Sequence, residues 1–304
     1  MRFGTTLPLV QQMPGQPDWE KSGDPAALVA VAHRADELGY DWLPCSDHVV
    51  VPQKALEFAG ATWYEPATTL SFVAGLTSSI RLLTHVLVLP YHNPFDIAKQ
   101  YATLDRLSGG RVILGVGAGH LRPEFLALGI DYETRGDVTD EYVRIIKALW
   151  SDQPASFRGE RFQFHDLHLA PRPVQQPHPP VWIGGNTRRA VRRAVDVGDG
   201  WVPWQVTFDE LRDRLDYARG LPSYAERARP LDVTVPAGPI EITATAIDGQ
   251  RTPFTGSAAQ IVEDVRAYEA IGVTGMTAGF RSRSLAERLE QVDQFARDVM
   301  PAFA

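Results

Sequence analysis

The sequence predicts a single (β/α)8 barrel over residues 1–304. Three observations carry that prediction: eight short apolar segments spread along the chain, helical stripes between them, and a recurring glycine junction from helix to strand. The junction reads Leu38-Gly39-Tyr40-Asp41-Trp42, Leu107-Ser108-Gly109-Gly110-Arg111-Val112, Val197-Gly198-Asp199-Gly200-Trp201 and Ile271-Gly272-Val273-Thr274-Gly275. A glycine at such a point can adopt the left-handed conformation that ends a helix and lets a strand begin within a few residues. Strand–helix alternation implies parallel strands, and eight units closing on themselves imply a barrel rather than an open sheet.

The apolar segments are residues 2–7, 42–45, 81–88, 112–114, 181–183, 200–202, 233–235 and 273–276. After the first comes a stripe of Leu28, Val31, Ala32, Ala35 and Leu38, spaced as one buried helix face, with Pro25 near its start. Later stripes are Tyr142, Ile145, Ile146, Leu149 and Trp150; then Ala190, Val191, Ala194 and Val195; then Ile261, Val265 and Tyr268; and finally Leu285, Leu289, Val292, Ala296 and Val299. Three insertions interrupt the pattern, at 49–68 after strand two, at 157–180 before strand five and at 236–256 after strand seven. The first and last fall at the C-terminal ends of strands, where barrels build their active sites. The middle one, rich in proline and aromatics, reads as a packed excursion.

Composition narrows the function classes. A net charge of −7 opposes the clustered Lys and Arg that phosphate backbones require, so no nucleic-acid partner is expected. No run of about 18 apolar residues occurs and the first residues are too short an apolar run for a secretory leader, so no membrane partner and a cytoplasmic location are expected. The lone Cys45 has no internal disulfide partner and reads as a core residue at a strand end. No metal is expected either: the chain lacks a His-x-His on strand one and a Cys pair, and His165 and His168 lie in the middle insertion.

The candidate chemistry clusters at strand ends. Ser46-Asp47-His48 follows strand two, placing a carboxylate and an imidazole at the barrel mouth, and His48 is the candidate catalytic residue because imidazole exchanges protons near neutral pH. Thr84, His85 and Val86 lie within an otherwise apolar strand three, and Gly115-Val116-Gly117-Ala118-Gly119-His120 ends strand four, its glycines letting backbone approach a flat ring or a phosphate. Trp182-Ile183-Gly184-Gly185-Asn186-Thr187 ends strand five and opens a helix whose free N–H groups form a phosphate cradle. Arg188 and Arg189 in that helix's first turn oppose its dipole, which a nearby anion would explain, whereas Arg192 and Arg193 read as a solvated basic face.

Taken together, these motifs resemble the luciferase-like flavin and deazaflavin oxidoreductases, in particular the branch that uses coenzyme F420. The resemblance covers nearly the whole chain. It rests on Arg2-Phe3-Gly4, on Leu38-Gly39-Tyr40-Asp41-Trp42 with Ser46-Asp47-His48, on Ser79-Ile80-Arg81-Leu82 leading to Leu87-Val88-Leu89-Pro90, on the run from Lys99 to Arg111, and on the two glycine motifs. It implies a ring-shaped cofactor across the strand ends, His48 near the reactive centre, Asp47 on the ring, a non-proline cis peptide at His85-Val86, and a homodimer. Ala118 stands where sugar-phosphate dehydrogenases of the family carry a glutamate, so the resemblance does not extend to that substrate. Trp63, Tyr64, His120 and Trp204 are candidates to line a mouth suited to an apolar or aromatic small molecule. The leading expectation is hydride transfer between coenzyme F420 and that substrate. The alternatives are an FMN-dependent monooxygenase and a non-catalytic flavin-binding protein.

Overall fold

Eight barrel strands follow the predicted order in the computed structural model, which describes residues 1–21 and 24–304: β1 (Arg2–Thr5), β2 (Trp42–Cys45), β3 (Arg81–Thr84), β4 (Val112–Gly117), β5 (Val181–Gly184), β6 (Gly200–Val202), β7 (Asp232–Ile242) and β8 (Gly275–Phe280). All neighbours pair in parallel, in the order β1-β8-β7-β6-β5-β4-β3-β2. The Asp41 N–H donates to Phe3 O at 2.6 Å between the two remaining edges, so the ring is nearly closed. Register brings Leu82 and Leu83 of β3 opposite Leu43 and Pro44 of β2 and opposite Val112 and Ile113 of β4, filling the wall with apolar side chains.

A helix follows each strand: α1 (Pro25–Glu37), α2 (Pro66–Leu76), α3 (Pro94–Ser108), α4 (Arg135–Ser151), α5 (Arg188–Val197), α6 (Phe208–Arg219), α7 (Ala258–Ile271) and α8 (Leu285–Asp298). The first three start alike. Proline opens the helix where its missing N–H costs nothing, and Asp24, Glu65 or Asn93 accepts the first free backbone N–H groups. Three of the four predicted junctions use a left-handed glycine, Gly39, Gly109 and Gly272. Gly198 does not. It is extended, and it is needed for space, since a Cβ there would lie 2.7 Å from Ile183 Cγ1.

Several strand limits differ from the sequence pattern: strand one ends at Thr5 rather than residue 7, strand four runs on to Gly117, and strand eight spans Gly275–Phe280 rather than 273–276. The third segment stops at Thr84 and resumes as Leu87–Val88, with a cis His85-Val86 peptide between. Meanwhile β7 continues through Pro236 and Gly238 to Ile242, residues expected to be loop, because a register shift between Ala237 and Ile240 lets the chain bend without leaving β8. The middle insertion carries an antiparallel hairpin, Ala155–Arg158 with Gln163–Leu167. Inside the barrel Trp42 and Trp182 meet edge to face at 5.4 Å, packed with Leu83, Ile113 and Val202. No helix among the described residues is long and apolar enough to cross a membrane.

Candidate active site

The chain turns away from the barrel wall immediately after Cys45, and the next three side chains each take a different partner. Ser46 Oγ donates to His85 O at 2.7 Å, tying the tip of β2 to that of β3. Asp47 is buried; its Oδ2 accepts from the Val88 N–H at 2.9 Å and lies 2.7 Å from His92 Nε2. His48 Nδ1 lies 2.7 Å from Glu124 Oε2. Its ring packs edge-on to Trp63 at 4.5 Å and stands 6.0 Å from the His120 ring.

Glu124 sits on the short helix Arg122–Ala127 that follows β4, and its side chain is fully buried. Its Oε1 accepts from the backbone N–H groups of Val49, at 2.8 Å, and Val50, at 3.2 Å. Its Oε2 takes the His48 contact and the Tyr91 hydroxyl, at 3.1 Å. Burial alone would raise the carboxyl, but the His48 bond and the two backbone donors outweigh it and hold Glu124 below the usual carboxylate value.

At the tip of β3, Thr84 Oγ1 donates to Gly115 O at 2.7 Å, and burial lowers the His85 imidazole to about 4, which keeps that ring neutral at physiological pH. The Val86 methyls occupy space that the strand-four and strand-five glycines leave open. A Cβ on Gly117 would lie 2.8 Å from Val86 Cγ2, and one on Gly184 2.9 Å from Val86 Cγ1. Gly115 is pressed against Thr84 O in the same way, and Gly119 against Val88 and Phe125. These glycines therefore seat the tip of β3 and the loop beyond it; Ala118 lies between them, half-buried.

The β5–α5 turn combines an anchor with a helix start. Asn186 holds the backbone of Trp204 at both ends of its amide, at 2.6 and 2.9 Å, and so places the Trp204 ring 6.0 Å from that of His85. Gly185 has φ +118° and its carbonyl accepts from Trp201 Nε1; Thr187 Oγ1 accepts from the Ala190 N–H and caps α5. The four arginines of α5 divide. Arg189 meets two carboxylates of α4, Asp137 at 2.5 Å and Asp140 at 2.9 Å, so the anion expected beside it belongs to the protein. Arg193, expected on a solvated face, is buried and bonded to Asp140 and Gly136 O, because α4 packs over that side of α5. Arg188 is exposed, lies 5.1 Å over the Tyr217 ring, and has no carboxylate partner among the described residues.

A cleft of about 190 Å³ opens on the same mouth, lined by Thr6, Leu7, Gln11, Ser46, His85 and Trp204 among others. Contacts running from Ser46 to His85, from Val86 to Gly117 and Gly184, and from Asn186 to Trp204 bring the tips of strands two to six together. Of the aromatic candidates, Trp63 and His120 flank His48, Trp204 lines the cleft, and Tyr64 is exposed with its N–H bonded to Val10 O. Sequence reasoning missed Glu124, Tyr91 and His92. In Leu121-Arg122-Pro123-Glu124-Phe125 a proline followed by an acid is the ordinary composition of a helix's first turn, so nothing local marks Glu124.

The model for luciferase-like monooxygenases matches residues 1–248. The chain belongs to the luciferase-like monooxygenase family. Among its relatives, the FMNH2-dependent dimethylsulfone monooxygenase of Pseudomonas putida is 25% identical over 289 residues, 78% of each chain. Two solved structures share this luciferase-like barrel. A monooxygenase from Streptomyces bottropensis superposes with a TM-score of 0.80 at 20% identity, covering 100% of both chains. The coenzyme F420-dependent tetrahydromethanopterin reductase of Methanopyrus kandleri gives 0.72 at 16%, covering 100% of this chain and 99% of that one.

Proposed function

We propose that this oxidoreductase transfers a hydride between coenzyme F420 and a small organic substrate of apolar or aromatic character. The observation that supports the reading is the His48–Glu124 pair. Reducing an unsaturated bond requires one proton beside the hydride, and oxidation releases one; His48 is built to move it. Its Nδ1 faces a buried carboxylate, while Nε2 has no protein partner among the described residues and the side chain keeps 10% exposure beside Trp63 and His120.

The residues at the mouth fit the cofactor. Asp47, Thr84, Gly115 and Gly117 are buried and hold the tips of strands two to four from behind, while His85, Val86, Ala118, Gly119 and His120 keep exposure there for a flat ring; Gly184, Gly185, Asn186, Thr187 and Arg188 surround the start of α5, suited to an anionic tail. Bound there, the deazaflavin would supply or accept the hydride. Leu7, Val10 and Trp204 give the adjoining cleft an apolar lining, which favours the substrate class named.

One observation favours a second reading, an FMN-dependent monooxygenase: the Pseudomonas relative that matches 78% of this chain carries that dependence in its name. Spectral titration of the pure protein with each cofactor separates the two. Coenzyme F420 should bind at least about tenfold more tightly than FMN, and His48→Ala should keep that binding while turnover falls roughly 10²- to 10⁴-fold. Tighter binding of FMN, with oxygen consumed on reduction, would replace the first reading by the second; turnover untouched in His48→Ala would remove His48 from the chemistry.

A further inference from the structure

We infer that Glu124 is a positioning residue that fixes the tautomer of His48, keeping the proton on Nδ1 and presenting Nε2 to the mouth. The inference rests on His48 being the proton-handling group. It starts from what can donate to Glu124. Its Oε1 is taken by the Val49 and Val50 N–H groups, which can only donate, and Oε2 is shared by Tyr91 and His48. Burial holds the Tyr91 hydroxyl well above the usual phenol value, so it too stays protonated and able to donate. With Glu124 ionised, every group around it must bring a hydrogen, and the one left to supply at Oε2 is the His48 Nδ1 proton. A neutral imidazole holding its proton on Nδ1 has its lone pair on Nε2, the nitrogen left without a protein partner among the described residues.

The neighbouring pair shows that this arrangement is particular to His48. His92 meets its carboxylate, Asp47, through Nε2 rather than Nδ1, and Asp47 also holds the Val88 N–H, so that pair secures the loop beyond β3. Consecutive residues 47 and 48 thus face two acid–imidazole contacts of opposite sense. Only the His48 ring stands against Trp63 and His120.

Glu124→Gln tests the assignment with little change in volume. The amide oxygen can still accept from Val49 and Val50, which turns the –NH2 toward His48; that group donates, so Nδ1 must accept and the proton must move to Nε2. Nitrogen-15 spectra of the cofactor-free full chain, with His48 identified by its loss in His48→Gln, read the tautomer directly. The wild type should show a protonated Nδ1 and an unprotonated Nε2, Tyr91→Phe the same pattern, and Glu124→Gln the inverse. In turnover Glu124→Gln should lower kcat by at least about tenfold, toward the roughly 10⁴-fold scale of a wrong-tautomer histidine, with KM within about threefold. A wild-type His48 carrying its proton on Nε2 would overturn the inference even if the variant failed to fold, and so would a Glu124→Gln pattern identical to wild type. Neither result depends on which cofactor binds, so failure here is distinguishable from failure of the F420 assignment.

Discussion

At the N-terminal end of the barrel Arg2 pairs with Asp232 and Arg81 with Asp41, and each guanidinium also lies about 6 Å over an indole, Arg2 over Trp182 and Arg81 over Trp42. At the opposite end imidazoles replace guanidiniums: His48 meets Glu124 and His92 meets Asp47, with Trp63 against His48. Both ends thus combine an acid, a base and an aromatic ring. A guanidinium stays charged at any working pH, so its ion pair is a fixed clasp, whereas an imidazole held by one nitrogen keeps the other for proton exchange. In these two clusters the permanent pairs hold strand starts together and the exchangeable ones stand where strands end in loops, whereas elsewhere the kinds mix: Arg281 pairs with Glu241 at the far ends of β7 and β8, and His178 approaches Asp199 before β5.

The largest expected effect tests the stable end. Trp182 is fully buried against Trp42, so Trp182→Ala should cost about 3–5 kcal/mol in urea unfolding. Cofactor affinity, measured on the folded fraction, should change less than about threefold. An equal loss in both measurements would break the division between the ends.

A second effect at the same end depends on pH. Asp36, at the close of α1, accepts from the Ser78, Ser79 and Ile80 N–H groups at 2.7, 2.9 and 2.6 Å and from both serine hydroxyls. Partial burial would raise this carboxyl, but those donors outweigh it and hold Asp36 well below the usual carboxylate range. The folded value therefore lies below the unfolded one of about 3.9. Its contribution is present above about pH 4 and is lost as pH falls toward the folded value. Asp36→Ala should cost about 1.5–3 kcal/mol at neutral pH and flatten the acid limb of the stability curve; an unchanged limb would mean that other carboxylates set it.

How much of this was legible beforehand differs between the wall and the mouth. All eight strands could be read because each is an apolar run, four of them opened by a glycine junction from the preceding helix, a local pattern that the barrel preserves. The helices α2 and α6 were missed for local reasons. In α2, Thr68, Thr69 and Ser71 blur the apolar stripe and Phe72 points outward, while α6 is dominated by charge. The extension of β7 runs through Pro236 and Gly238, residues that local rules assign to loops. Residues near one another in sequence, such as Asp47 and His48, could be nominated from their place after a strand. Glu124 could not: its partners are His48, Val49, Val50 and Tyr91, and what makes it distinctive is burial by a segment 75 residues away. Arg193 failed for the same reason, because an arginine beside an acid on another helix has no mark in its own helix.

The smallest effect separates neighbours on α5. Arg189 is held by Asp137 and Asp140, so truncating it removes a partly exposed ion-pair network, whereas Arg188 lies over the Tyr217 ring with no carboxylate partner among the described residues. If Arg188 serves an anionic cofactor tail, Arg188→Ala should weaken cofactor binding by about 1 kcal/mol, roughly fivefold, because an exposed guanidinium is screened by solvent. Its unfolding midpoint should stay within about 0.5 kcal/mol of wild type. Arg189→Ala should show the reverse, a stability loss of up to about 1 kcal/mol with cofactor affinity nearly unchanged. Raising the salt concentration should shrink the Arg188 effect on binding, as expected of an exposed charge. A salt-independent effect would mean that Arg188 acts through its packing on Tyr217, and identical results for both variants would place the cofactor tail away from the start of α5.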